Sequence, residues 1–408
     1  MERVILHVDM NNFYASVECF LNPKLRGQAV CVCGDEEQRH GIILAKNQLA
    51  KKCGVTTGEP IWQARAKCPQ LVCVPANYKN YLRFSALARN IFLRYTGKME
   101  PFGLDEAWLD VSGKDVDIAE GKRLADEIRA VITRELGITA SVGVSFNKIF
   151  AKLGSDLKKP DATSVLSAEN FKAIVWRLPV RELLYVGRST EQKLRRRSIM
   201  TIGDLANAQP QYLQKFLGKW GYMLWNYANG YDTSAVEDAA YHRKIKSIGN
   251  STTTPRDLLT VEDVRSVVQT LSENVAMRLK KYKLKCMCVQ VYVRAGTLER
   301  MNRQRVLHQP TDLSADLASV AMQLFLEHYS LEKCPVRSVG VRAINLVSID
   351  EKQLNIFEDL KKIEVERAVE SLRRRFGENA VVRANVLQNQ DLSRLEQGKR
   401  SIFPHSNL

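Results

Sequence analysis

No apolar run in this chain approaches the ~20 residues that span a bilayer. The opening Met1-Glu2-Arg3 leads straight toward a short strand, without the basic-then-apolar pattern of a signal peptide, so the cytoplasm is the expected compartment. Zinc-finger spacing is also missing. Nine cysteines are scattered through apolar contexts. Cys31-Val32-Cys33 and Cys286-Met287-Cys288 each put two sulfurs on one strand face, but neither has a second pair at metal-finger distance. Buried free thiols in a reducing compartment are the expectation.

The charge balance is one-sided. Lys and Arg number 61 against 45 Asp and Glu, a formal +16. That excess predicts a polyanionic partner, and nucleic acid is the commonest. An anionic membrane surface is the competing partner, but the basic residues are not gathered on one amphipathic helix. At 408 residues the chain is too long for one ordinary core, so about two to four domains are expected.

To about Ser164 the pattern mixes strands with helices around one sheet. Predicted strands are Val4–Val8, Gln28–Cys33, Leu71–Val74, Trp108–Val111, Ala140–Val144 and Thr163–Leu166. Predicted helices are Phe13–Leu21, Ile61–Lys67, Tyr78–Tyr95 and Val116–Leu136. From Ala168 to Tyr231 strands vanish, and short helices alternate with Gly, Pro and Asp. A polar linker follows, and then the order β-α-β-β-α-β from Ile245 to Val347, two helices on one face of a sheet. The whole is an α+β multidomain chain. After Asp350 come a short apolar motif, a helix-like stretch and a loose end at 401–408.

Asp105-Glu106 is the most informative pair. It lies in Phe102-Gly103-Leu104-Asp105-Glu106-Ala107-Trp108-Leu109-Asp110-Val111, which reads as two short strands with the acids at the tip of their turn. Adjacent carboxylates repel each other and are costly to desolvate unless a cation joins them. A second run, Val4 to Val8, delivers Asp9 at the end of a buried strand. Three carboxylates on buried strands point to hard divalent ions such as Mg²⁺. Taken alone, an Asp-Glu pair is a solvated turn, and an Asp after a strand is a helix cap.

The surrounding motifs change that reading. Val8-Asp9-Met10-Asn11-Asn12-Phe13-Tyr14-Ala15-Ser16-Val17-Glu18 resembles the first motif of the Y-family DNA polymerases. Gly103-Leu104-Asp105-Glu106-Ala107-Trp108-Leu109-Asp110 resembles their second. Ser141-Val142-Gly143-Val144-Ser145-Phe146-Asn147-Lys148, with Ala151-Lys152 and Lys158-Lys159-Pro160, resembles a third. The likeness runs from Val4 to about Val347 and is closest to the bacterial DNA polymerase IV group. It implies a right-hand polymerase: palm at 1–22 and 76–166, small fingers at 23–75, a helix-hairpin-helix thumb at 167–232, a linker at 233–243, a little finger at 244–348, and a tail from 349 to 408.

The resemblance also implies roles. Asp9 and Asp105 would bridge two Mg²⁺ ions, with Mn²⁺ able to substitute. Glu106 would hold the ion nearer the primer end, and the Met10 carbonyl would add a ligand. Asp110 reads as structural. Asn11 stands where many relatives have a second acid and is not counted as a ligand. Phe13 and Tyr14 would face the nucleotide, with Tyr14 the ring that excludes a 2′-hydroxyl. Lys159 would bind the triphosphate. The fingers depart from the family pattern of Thr followed by Tyr-x-x-Arg: the matching positions are Ala45, Gln48 and Lys51. Lys51 keeps a cation but loses the guanidinium fork.

DNA contacts are expected in the basic domains. Gly187, Arg188 and Thr190 sit in a hairpin-like segment whose glycine lets backbone N–H groups approach a phosphate. From Tyr241 to Val347 the chain has 17 Lys/Arg against 9 Asp/Glu. Lys244, Lys246, Ser247 and Thr252 are expected on the first strand there, with Arg294, Arg303 and Arg305 on later ones. Phosphate contact without base reading suits an enzyme that accepts any sequence. Gln353-Leu354-Asn355-Ile356-Phe357 resembles the peptide by which bacterial polymerases dock on the sliding clamp, with Gln353, Leu354, Ile356 and Phe357 as its contacts. No acid cluster resembles a proofreading exonuclease. The expected enzyme is a low-fidelity monomer in the cytoplasm, at the nucleoid, that copies damaged DNA from deoxynucleoside triphosphates. The alternatives are a catalytically weak or inactive polymerase-shaped DNA-binding scaffold and another palm-like enzyme such as a nucleotide cyclase.

Overall fold

The computed structural model describes residues 3–36, 39, 41–241, 244–349, 360–377 and 380–382. The clamp-like peptide, Gln353 to Phe357, and the end at 401–408 lie outside them. The chain forms two compact units, one built on 3–34 and 43–241, the other on 244–349 with the helix that follows. Among the described residues no helix is long and apolar enough to cross a membrane.

The first unit begins β1 (Ile5–Met10), α1 (Phe13–Leu21), β2 (Val30–Cys33), β3 (Ile43–Lys46), α2 (Gln48–Lys52), α3 (Ile61–Lys67), β4 (Val72–Pro75) and α4 (Tyr78–Phe92). It continues β5 (Met99–Pro101), β6 (Glu106–Asp110), α5 (Ile118–Leu136), β7 (Ala140–Ser145), α6 (Lys148–Leu157) and β8 (Thr163–Leu166). Five strands form one sheet in the order β5-β6-β1-β7-β8, and a smaller sheet has the order β3-β2-β4. The central strand β1 is buried along its whole length: Ile5, Leu6, Val8 and Met10 are core, and His7 and Asp9 are buried with them. α5 covers one face. Asp117 caps its N-terminus by accepting from the Glu120 amide, and Gly137 ends it at φ 66°, a left-handed turn that favours glycine.

The other face receives α6, pressed unusually close. A Cβ at Gly143 on β7 would lie 1.9 Å from the Ala151 carbonyl oxygen of α6. Only glycine permits that approach, and it is what brings the side chains of α6 to the sheet end where the acids stand.

The unit then turns helical: α7 (Phe171–Val175), α8 (Arg188–Arg195), α9 (Ile202–Asn207), α10 (Pro210–Leu217) and α11 (Lys219–Ala228) enclose their own core around Leu194, Leu205, Leu213 and Leu224. Gly187 is the N-cap of α8, and Arg188 and Thr190 belong to its first turn. The following linker is not loose throughout. Val236 is buried, the Glu237 amide donates to Glu100, and the Ala239 amide donates to the Gly97 carbonyl.

The second unit contains β9 (Ser247–Leu258), α12 (Val261–Lys281), β10 (Leu284–Ala295), β11 (Arg300–Thr311), α13 (Ser314–His328) and β12 (Val336–Ser348), followed by α14 (Leu360–Phe376). The sheet order is β11-β10-β12-β9. α12 and α13 cover the face carrying Val289, Val291, Val293, Val339 and Val341. α14 docks on these helices through Lys280–Glu366 at 2.6 Å and Arg373–Glu273 at 3.0 Å.

Candidate active site

Strand register assembles the acids. Asp9, next to last in β1, is the cross-strand partner of Glu106, the first residue of β6. The Met10 amide donates to the Asp105 carbonyl at 2.9 Å, which ties the acidic turn to the end of β1. Gly103, at φ 89°, lets the chain turn before Asp105. Asp110 lies at the far end of β6, opposite Ile5, where its carboxylate accepts from the Ser112 amide. It takes no part in the acidic cluster.

Two lysines meet these acids. Lys152 Nζ lies 3.1 Å from Asp9 Oδ2, 2.9 Å from Glu106 Oε2 and 3.2 Å from Asp156 Oδ2. Lys159 Nζ lies 2.6 Å from Asp9 Oδ2 and 2.8 Å from Asp156 Oδ1. The sequence pointed to Lys159 but not to the part played by Lys152 or Asp156. Burial raises the Asp9 pKa, and Glu106 adds to the shift. Burial, then the charges of Glu106 and Asp9, push Asp105 up to about 7. Carboxylates held in this way take up a proton unless a cation offsets their charge. The donors are all hard oxygens, and Lys152 already puts positive charge between Asp9 and Glu106, so the residues fit a hard divalent cation.

This predicts a pH dependence. A cation binds the carboxylate form of Asp105, so its affinity falls as pH drops through about 7, by up to about tenfold per unit. Without the cation, the unfolded chain ionises this group near 3.8 and the folded chain near 7, so stability falls as pH rises between them. Calorimetric Mg²⁺ titration at pH 6 and 8 checks the first statement: binding at pH 6 is weaker and releases a proton.

Two buried polar residues frame the acids from behind. His7, wholly buried, places Nδ1 3.0 Å from Ser155 Oγ and Nε2 3.3 Å from Glu106 Oε2. Burial, with the neighbouring Lys152, holds its pKa well below the ordinary value and keeps it neutral. Asn11 is a brace. It donates to Ser141 Oγ, and its carbonyl oxygen accepts from Thr139 Oγ1 and from the Asp161 amide. It thereby fastens the loop that carries Lys159.

Beside the acids, α1 begins without a side-chain cap on its first amides. Uncapped helix amides attract phosphate oxygens. Phe13 corrects an expectation: its side chain is buried in the main core, so it offers no ring to a nucleotide. Tyr14 is half-buried and stacks on Tyr81 at 4.2 Å and 10° between planes. Tyr81 is anchored in turn by donating to Glu18. Burial, with Tyr78 and Asp105 nearby, raises Tyr14 to about 12, so it stays a neutral phenol. Gln48 and Lys51 stand on α2, beyond the small sheet. Among the described residues no hydrogen bond or ion pair joins them to the acids.

The expected DNA contacts divide. Gly187 and Arg188 are exposed, and a Cβ at Gly187 would meet nothing, so the space before α8 is open. Lys244 and Lys246 are exposed but precede β9, which starts at Ser247. Arg303 and Arg305 pair with the helix-facing Val291 and Val289, and Arg305 is held by Glu327 at 2.6 Å. These two arginines therefore lie on the covered side of the edge strand. Thr252, partner of the buried Val339, also faces the helices. The uncovered face presents Arg294, Tyr292 and Gln290 on β10, Arg342 on β12, and Ser251 on β9. The sequence reading missed Arg342 and Ser251, which only register reveals.

Known proteins fit this architecture. Residues 8–156 match the impB/mucB/samB family, 245–356 match its C-terminal domain, and 182–232 match a DNA polymerase-iota thumb domain. DNA polymerase IV of Acetivibrio thermocellus is 50% identical over 400 residues, covering 97% of this chain and 100% of that protein. DNA polymerase IV of Clostridium acetobutylicum is 34% identical over 400 residues, covering 96% and 100%. A Y-family DNA polymerase chimera of known structure, 24% identical, superposes with a TM-score of 0.75 over 85% of this chain and 99% of its own. With its acids at the end of a five-stranded sheet and its three matching segments in order, the chain belongs to the impB/mucB/samB family of Y-family DNA polymerases.

Proposed function

We propose that this chain extends a primer on template DNA by a two-metal mechanism at Asp9, Asp105 and Glu106. The observation that carries this is the pairing of Asp9 with Glu106 across β1 and β6, with Asp105 in the adjoining turn. As a family member it is a translesion DNA polymerase that uses divalent ions, with DNA and deoxynucleoside triphosphates as substrates. We assign Mg²⁺, two ions per site, with Mn²⁺ as substitute. Bound there, such ions acidify the primer 3′-hydroxyl and neutralise charge on the triphosphate.

The chain's own residues do the rest. Asp9, Asp105, Glu106 and the Met10 carbonyl would hold the two ions, with Glu106 on the primer side. Lys159 and the first amides of α1 hold the triphosphate, and Tyr14 floors the sugar. Gln48 and Lys51 meet the phosphates from the fingers with a weaker grip than Tyr and Arg provide. Lys152, within 3.1 Å of Asp9 and 2.9 Å of Glu106, holds the acids together.

The division into palm (1–22 and 76–166), fingers (23–75), thumb (167–232), linker (233–243), little finger (244–348) and tail (349–408) is part of the same reading. Duplex backbone lies against Gly187, Arg188 and Thr190, and against the uncovered sheet of the little finger with Lys244, Lys246 and Ser247. The enzyme is a cytoplasmic monomer at the nucleoid, without proofreading. Primer extension with Mg²⁺ tests the proposal on undamaged and lesion-bearing templates. Extension past lesions is expected; no extension on any template overturns the reading and favours a DNA-binding scaffold.

The tail docks on the bacterial sliding clamp through Gln353, Leu354, Ile356 and Phe357. Three apolar side chains entering a pocket contribute about 1.5–3 kcal/mol each before ordering costs. Replacing Leu354, Ile356 and Phe357 with Ala should abolish stimulation by the clamp and leave clamp-free extension within about twofold. Undiminished stimulation would remove the motif from the docking site.

A further inference from the structure

The small sheet contains a thiol cluster that DNA synthesis does not use. Cys31 and Cys33 alternate along β2 onto one face, and β4 runs parallel beside it with Cys73 in register with Cys31. The three sulfurs lie within 4.8 Å of one another, and Cys31 Sγ is 3.5 Å from Cys73 Sγ. Cys31 and Cys33 are buried, whereas Cys73 is partly exposed. The hydrogen bond to Cys33 and burial push the Cys31 thiol far up, so without a cation that thiol stays protonated.

We infer that Cys31, Cys33 and Cys73 form a three-thiolate site for one thiophilic d¹⁰ cation, Zn²⁺ or its softer congener Cd²⁺. Geometry carries the assignment. Sulfurs bonded to one Zn²⁺ at ~2.3 Å stand about 3.8–4.0 Å apart, so the cluster closes around an ion with shifts of well under 1 Å. A disulfide would need the Cys31–Cys73 pair to close from 3.5 Å to about 2.05 Å. Soft donors reject Mg²⁺, so this site does not compete for the catalytic ions. Binding replaces three S–H bonds by three S–metal bonds and releases three protons to solvent. The fourth position takes water on the side of Cys73, which also gives the entry path.

The site has a structural consequence. A bound ion cross-braces β2 and β4 on one face, while Val32 on the opposite face of β2 packs in the main core with Met10 and Phe13. β3, paired to β2, leads directly into α2 with Gln48 and Lys51. Occupancy therefore stiffens the support of the segment proposed to meet the triphosphate.

The test uses the full chain, freed of metal by chelator and titrated with Cd²⁺. Thiolate-to-cadmium charge-transfer absorption should rise to an end point at one equivalent, and Zn²⁺ should quench it. Cys73→Ser should weaken binding at least about 100-fold, whereas Cys53→Ser, a fingers thiol outside the cluster, should leave it unchanged. In the native chain, Zn²⁺ should also protect Cys73 from alkylation, read by peptide mass mapping. No charge-transfer band in the native chain overturns the assignment, whatever the variants do. So does a band that persists in Cys73→Ser, or a cluster that yields only a Cys31–Cys73 disulfide under peroxide and binds no cadmium.

Discussion

Asp105→Asn lowers kcat for primer extension by about 10³-fold or more while raising the thermal stability of the cation-free protein. The two effects share one cause. The Asp105 carboxylate lies half-buried beside Asp9 and Glu106, and loss of solvent first, then their charges, pushes it up to about 7. Asn keeps the shape and removes the charge, so the metal-free turn loses a repulsion. The same change removes an oxygen anion proposed to bridge both ions. A loss of about 4 kcal/mol of transition-state stabilisation corresponds to ~10³ in rate. Single-turnover extension and a melting curve in chelator measure the two sides. An active Asn variant would mean that Asp105 is not a bridging ligand, and a less stable one would mean that its charge is compensated in the apo fold.

Tyr14→Ala should cost discrimination against ribonucleotides by about 10²-fold or more, read as the ratio of kcat/KM for a deoxynucleotide to that for its ribonucleotide. The ring can act as a wall because it is held. It stacks on Tyr81, meets Tyr78 edge-on at 5.9 Å, and cannot yield without breaking both contacts. Tyr14→Phe keeps the ring and should keep the selectivity. If the Ala variant discriminates as the native chain does, the sugar is sensed elsewhere. If the Phe variant fails as well, the hydroxyl matters and the wall is not purely steric.

Much of this site was legible before any coordinates. The Asp105-Glu106 turn is flanked by apolar residues that can only be strands, and β5 and β6 do meet there. α1 spans Phe13–Leu21 as its pattern predicts, and the β-α-β-β-α-β order is observed in full. What escaped has specific causes. α6 was not predicted as a helix because it is short and has Gly154 in its interior. Seven of its ten residues are buried. Its helicity is imposed by packing on Gly143, and with it comes Lys152. β3 is four residues long and β5 three, and pairing rather than propensity makes them strands.

Local patterns in the sequence determined which residues carry charge, where the chain turns, and that three acids end up on strand termini. Tertiary structure alone decided which faces they share. Strand side chains alternate with period two, so a single register choice sends Arg303 and Arg305 to the covered side of β11 and Arg294 and Arg342 to the open one. The run Met301 to His308 has no clean alternation from which that choice could be read. The thiol cluster follows the same rule. Cys31 and Cys33 advertise their common face in the sequence, but Cys73, forty residues on, joins them only because β4 pairs in parallel with β2.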